Sequence, residues 1–308
     1  MSLPTQTEKI AQQAIKKPKE AGKASKFFSS LFKSKTGTIG FIIVVLVVLA
    51  AIFAPFLAPY DPAATNVASR LKPPVWMDGG VAGHILGTDN LGRDILSRII
   101  VGSRVSLLVG VSAVLLAGVI GMVMGLISGF YGGFVDTVIM RLVDSFLAIP
   151  NILFMLIVLA IMGPSLTSLI LVLGGITWVT YARMVRSETL SIKERDYVRS
   201  ARAIGAKDSR IIITYILPNV ISSFIVIATL NVASTIILEA SLSFLGLGIQ
   251  PPDVSWGLML SDGREYLATS WWIATFPGIA ITLTVLGIIF LGDWLRDVLD
   301  PRLKAKKG

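Results

Sequence analysis

Long apolar stretches, each near the length of a bilayer crossing, alternate along this chain with polar connections. Crossing the hydrocarbon takes about 20 predominantly apolar helical residues. Six segments meet or approach that: Gly37–Leu57, Val105–Phe130, Ser145–Met162, Leu166–Tyr181, Val220–Leu247 and Trp272–Leu291. Lipid offers the backbone no water, so each segment is expected to be a helix. Gly174 and Gly175 interrupt the fourth. In the second, Gly121, Gly125 and Gly129 recur every four residues, a stripe that lets another helix approach closely. Packing inside the subunit is the first expectation for it and a dimer seam the second. The pattern predicts an all-α, polytopic membrane protein with six transmembrane helices.

Composition agrees. Hydrophobic residues make up 54% of the chain and charged residues 15%, against about 25% charged in soluble domains. Lys and Arg outnumber Asp and Glu by 28 to 19, but they lie between apolar runs rather than on a basic domain face, which argues against nucleic acid. Twenty-two of them fall in the N-terminal tail, the second-to-third connection, the 183–218 loop and the C-terminal tail, and six in the other connections. The positive-inside rule therefore puts both termini in the cytoplasm. Residues 1–36 read as a cytoplasmic tail whose lysines can touch anionic headgroups; they lack the layout of a cleavable signal peptide. Trp271 or Trp272, and Trp294, suit interfacial anchoring. With no cysteine, disulfides and thiolate metal sites are excluded.

The 183–218 loop is too polar to insert and too patterned for a linker. Ser191 to Glu194 has the form of a capping box. Tyr197, Ala201 and Ile204 then share one helical face, and Gly205 suits a C-cap. Asp208 is placed to cap a second short helix, 209–217, ended by Pro218. Two short helices joined at a glycine beneath a membrane bundle would form a docking knob.

Candidate polar sites are few. Residues 90–101 read as an amphipathic helix at the outer interface, with Leu91, Ile95 and Ile99 on one face and Arg93, Asp94 and Arg98 off it. Asp89, Arg93 and Asp94 are candidates for contacting a binding protein or shaping an outer gate, or the helix only braces the second span. In the fifth span Asn231, Thr235, Glu239 and Ser243 recur every four residues. An ionisable group at that depth needs a cavity or a partner, so the stripe lines either a translocation pathway or an interhelical hydrogen-bond seam. Arg141 and Asp144 are spaced to pair, Arg183 and Arg186 to anchor at headgroups. The lone His84 is no basis for a metal site. No phosphate-binding G-x-x-x-x-G-K-[ST] sequence occurs, so any ATP hydrolysis belongs to another polypeptide. A solitary secondary transporter would call for an inverted repeat or ion relay, and a membrane enzyme for a nucleophile with its base or a metal triad; none is evident.

Arg199-Ser200-Ala201, Gly205 and Leu217-Pro218 resemble the "EAA" loop of ATP-binding-cassette importer permeases, with Arg199, Ser200 and Tyr215 where Glu, Ala and Ile are usual. The segments 84–98, 239–257 and 291–302, and Ala58-Pro-Tyr-Asp-Pro62, resemble the C-type permeases of dipeptide, oligopeptide and nickel importers. The resemblance implies the type I importer permease fold, in the cytoplasmic membrane of a bacterial or archaeal cell. It implies that Tyr197, Ser200, Ala201, Ile204, Gly205, Ala206, Leu217 and Pro218 couple to an ATPase. Its implied partners are a B-type permease, two ATPase subunits and an extracytoplasmic solute-binding protein. ATP and magnesium would be held by the ATPases and no cofactor by this chain. The substrate would be a di- or oligopeptide, or alternatively nickel, a metallophore or glutathione. The expected organisation is a tail (1–36), the first span with an external segment (37–104), a core (105–302) holding the coupling loop (186–218), and a C-terminal tail (303–308).

Overall fold

A computed structural model describes residues 29–299; most of the expected N-terminal tail, and residues 303–308, lie outside these. Span one is α1 (Lys35–Ile52), capped by Ser34, whose Oγ accepts from the Gly37 N–H at 3.2 Å. A single turn, α2 (Ala54–Leu57), follows it. Span two is α3 (Ile95–Tyr131), one continuous 37-residue helix. The separate interfacial helix expected at 90–101 is therefore the first turns of span two. Asp94 sets its start by accepting from the Ser97 N–H at 2.8 Å, and no helix-breaking residue follows.

Span three is a bent pair, α4 (Gly133–Leu147) and α5 (Asn151–Met162), whose axes differ by 86°. Pro150 explains the break: it has no N–H to continue a helix, and it pushes the preceding residue out of the helical region. Span four, α6 (Leu166–Lys193), runs twelve residues beyond its expected end. Its glycines do not interrupt it. Gly174 gives room to Leu116 of α3, whose side chain would lie 2.7 Å from an added Cβ.

Short α7 (Asp196–Ala203) follows, then α8 (Asp208–Ile211), a π-helical turn (Ile212–Ile216) and α9 (Leu217–Phe244). Here two expectations fail. Ser191 is inside α6 rather than opening a helix, and Pro218 begins α9 rather than ending a helix. Proline is tolerated in a helix's first turn, and the wide π turn before it absorbs the missing donor. α10 (Trp256–Gly263) and α11 (Trp272–Leu299) complete the described chain. Five helices are long and apolar enough to cross a membrane, or six when the bent pair is counted as one span; among the described residues there is no strand.

Spans two and four form the central pair. A Cβ on Gly121 would sit 2.4 Å from Cβ of Tyr181, one on Gly125 2.6 Å from Cβ of Val185, and one on Gly129 2.7 Å from Cβ of Thr189. The stripe is thus used inside the subunit. Trp294 is also turned inward, against Gly37 of span one, and Trp272 is buried, so of the three tryptophans Trp271 alone stays exposed for the interface.

Candidate functional site

At the end of span four, α7 forms a knob beneath the bundle. Val198 and Ala201 are its buried residues, in a cluster with Phe130, Ile192 and Ile211 around Val198. Gly205 has φ +80°, and the turn closes with Gly205 N–H to Arg202 O at 3.0 Å and Ala206 N–H to Ala201 O at 3.1 Å. These two bonds satisfy the last carbonyls of α7 in the Schellman pattern. The sequence expected Tyr197, Ala201 and Ile204 on one packed face. Only Ala201 is packed: Tyr197 is 41% and Ile204 84% exposed. Ser200 and Gly205 are exposed and Ala206 is half-buried, while Leu217 and exposed Pro218 lie at the root of span five.

Residues the sequence did not single out tie the knob to span two. Lys193 donates to the carbonyls of Phe130 (3.1 Å) and Gly129 (3.4 Å), a cation on the C-terminal carbonyls of α3. The Arg202 guanidinium lies 5.4 Å above the Phe130 ring. Arg199 reaches back to Glu194 at 2.6 Å; that hydrogen bond, then its charge, holds the Glu194 carboxyl below its ordinary value and raises the Arg199 guanidinium. Arg141 does not pair with Asp144. Asp144 accepts instead from Arg183 (2.6 Å), and Asp136 takes both ends of Arg186 (2.5 and 2.7 Å). The two arginines expected at headgroups therefore join spans three and four.

Toward the end of span five opposite the knob, its polar stripe is packed inward. Thr235, Glu239 and Ser243 are buried and Asn231 is half-buried. Glu239 accepts from Ser243 (2.7 Å), Ser255 (2.8 Å) and Ser106 (3.5 Å). Ser255 caps α10 and Ser106 belongs to span two. Glu239 thus joins spans two and five and the cap of α10 in an interhelical hydrogen-bond seam. Ser106 and Ser255 carried no signal of their own in the sequence.

Beyond the seam lies a buried charge cluster. Asp89 accepts from Arg93 Nε at 2.6 Å and from Arg98 Nη1, and both arginines also reach Asp262 of α10, at 3.0 and 3.1 Å. Asp89 and Arg98 are 1% exposed, Arg93 10% and Asp262 25%, by side chain. Asp94 accepts from Ser97 and bonds His84 Nδ1 at 2.9 Å. Asp89 and Arg93 are therefore buried in a clamp that fastens residues 58–94 to α10 through Asp262, while Asp94 holds His84 against the start of α3. Asp262 was missed because it is 169 positions from Arg93. Among the described residues no group of three or more potential ligands could hold a metal ion.

A family model described as "Binding-protein-dependent transport system inner membrane component" matches residues 121–305. A second, "N-terminal TM domain of oligopeptide transport permease C", matches residues 24–74. A di/tripeptide transport system permease protein of Pseudomonas aeruginosa is 42% identical over 278 residues, covering 90% of this chain and 92% of its own length. Dipeptide transport system permease proteins of Haemophilus influenzae and Escherichia coli are 43% and 44% identical, covering 89% and 90% of this chain and 93% of each relative.

Proposed function

Because the chain belongs to the family of binding-protein-dependent transport system inner membrane components, we propose that it is the C-type permease of an ATP-binding-cassette importer of di- or oligopeptides. The names of its relatives, all peptide permeases, carry that reading toward peptides and away from nickel. Its partners are then a second permease of the B type, two ATPase subunits and an extracytoplasmic solute-binding protein. ATP and magnesium belong to the ATPases. Both termini face the cytoplasm.

The observation that supports coupling is the knob. Tyr197 and Ile204 expose apolar surface at the two ends of a helix whose other face is held to span two through Val198 and Arg202, with Lys193 just before it bonded to the same span. An ATPase groove closing around such a knob would move span two and, through the glycine stripe, span four. Substrate delivered from outside would then meet an alternately opened cavity between the two permeases.

The test is Gly205→Pro in the assembled transporter. Proline fixes φ near about −65° and cannot adopt the +80° of this position, so the turn after α7 must rebuild. Insertion and assembly with the second permease are expected to persist while ATP hydrolysis and dipeptide uptake lose their linkage. Normal coupling in that variant would refute the docking role. Failure of the purified complex to contain two ATPases and a second permease would refute the importer itself.

A further inference from the structure

Arg104 is the last charge before the long uncharged part of α3, and it stands apart from the outer clamp. It is exposed, and among the described residues it has no ion-pair or hydrogen-bond partner. It lies on a shallow groove of about 470 Å³ between spans one and two, with Ala51 at the base and Val48, Ile52, Leu108 and Val111 along the walls. Those four wall residues are each exposed. An unpaired arginine on the outside of a membrane span is costly unless it reaches the headgroup layer or a counter-charge.

Depth and direction both favour the outer leaflet. The uncharged stretch 105–131 of α3 covers about 40 Å at about 1.5 Å per residue, enough to cross a hydrocarbon core of about 30 Å. Arg104 therefore sits at the outer boundary of the core. Phe53 and Phe56, exposed at the outer end of span one, mark the same level. Helical side chains tilt toward the helix N-terminus, and the N-terminus of α3 is its outer end, so Arg104 leans toward the headgroups.

We propose that this groove is a binding site for one anionic phospholipid of the outer leaflet. Its phosphodiester takes the Arg104 guanidinium, which suits a two-oxygen acceptor. One acyl chain lies along Val48, Ile52, Leu108 and Val111, covering apolar surface where spans one and two diverge. A net negative headgroup is preferred over a zwitterionic one because no acid among the described residues neutralises the arginine.

The test counts lipids on the intact transporter complex by native mass spectrometry after exchange into mixtures of phosphatidylglycerol and phosphatidylethanolamine. Loss of a charge-assisted contact corresponds to about tenfold weaker retention. Arg104→Gln is expected to lose about that much preference for phosphatidylglycerol, and Arg104→Lys to keep part of it. Val111→Phe, which fills the groove and leaves the arginine in place, is expected to weaken retention of both lipids. Unchanged phosphatidylglycerol retention in Arg104→Gln would overturn the site. So would a photo-crosslinker at position 108, with Arg104 kept, that labels the second permease rather than lipid, because the groove would then be a protein interface. Both readouts come from the resting complex and are independent of which solute is imported.

Discussion

Replacing Asp89 with alanine should be the most destabilising single change in the external segment. Its carboxylate is 1% exposed and accepts from Arg93 Nε, Arg98 Nη1 and the N–H groups of Leu91 and Arg93. Removing one member of a buried ion pair costs about 3–5 kcal/mol, because the remaining charge stays desolvated. Asp262→Ala removes two contacts from the same arginines, but Asp262 is a quarter exposed, so water partly replaces it. Its cost should fall between the surface and buried limits, at about 1–2 kcal/mol. The double variant Asp89→Ala/Arg98→Met removes the stranded charge and should recover at least about half of the loss. Denaturant unfolding of the reconstituted complex, read on a probe in residues 58–94, measures all three. Equal costs for the two aspartates, or no recovery in the double variant, would refute a desolvated clamp.

Three further outcomes follow from the geometry. Glu239→Gln keeps a polar group facing Ser106, Ser243 and Ser255 and should retain uptake, whereas Glu239→Leu should lose about 1–3 kcal/mol of stability; equal uptake and stability in both variants would argue against the seam. Gly125→Val must force apart spans two and four, where even a Cβ would meet Val185 at 2.6 Å; overpacking of this kind costs about 1–3 kcal/mol and should appear as a lower midpoint of thermal unfolding. Glu194 has a depressed folded pKa, so the Arg199 pair contributes fully above the carboxylate's ordinary value of 4.5 and is lost as pH falls through the lower folded value. Hydrogen exchange over residues 196–203, corrected for intrinsic rates, should show that acid step in the wild type and not in Glu194→Gln.

Much of this architecture was legible along the chain because lipid imposes a one-dimensional rule: a long apolar run must be a helix. The long apolar helices, the use of Gly121, Gly125 and Gly129 in close packing, and the turn at Gly205 all follow from local spacing or backbone freedom. The partner of each charge did not. Arg183 and Arg186 could have met headgroups as readily as Asp144 and Asp136, since sequence spacing constrains only neighbours on one helix. Pro218 carried a stop signal that the π turn overrode, and that turn has no sequence signature of its own. Asp89 and Arg93 read as an exposed contact until tertiary structure brought Asp262 against them across 169 positions. Apolar runs alone determined which segments form helices long enough to cross a membrane. Only the folded arrangement decided which buried charges neutralise one another, because desolvation makes each depend on a partner that can come from anywhere in the chain.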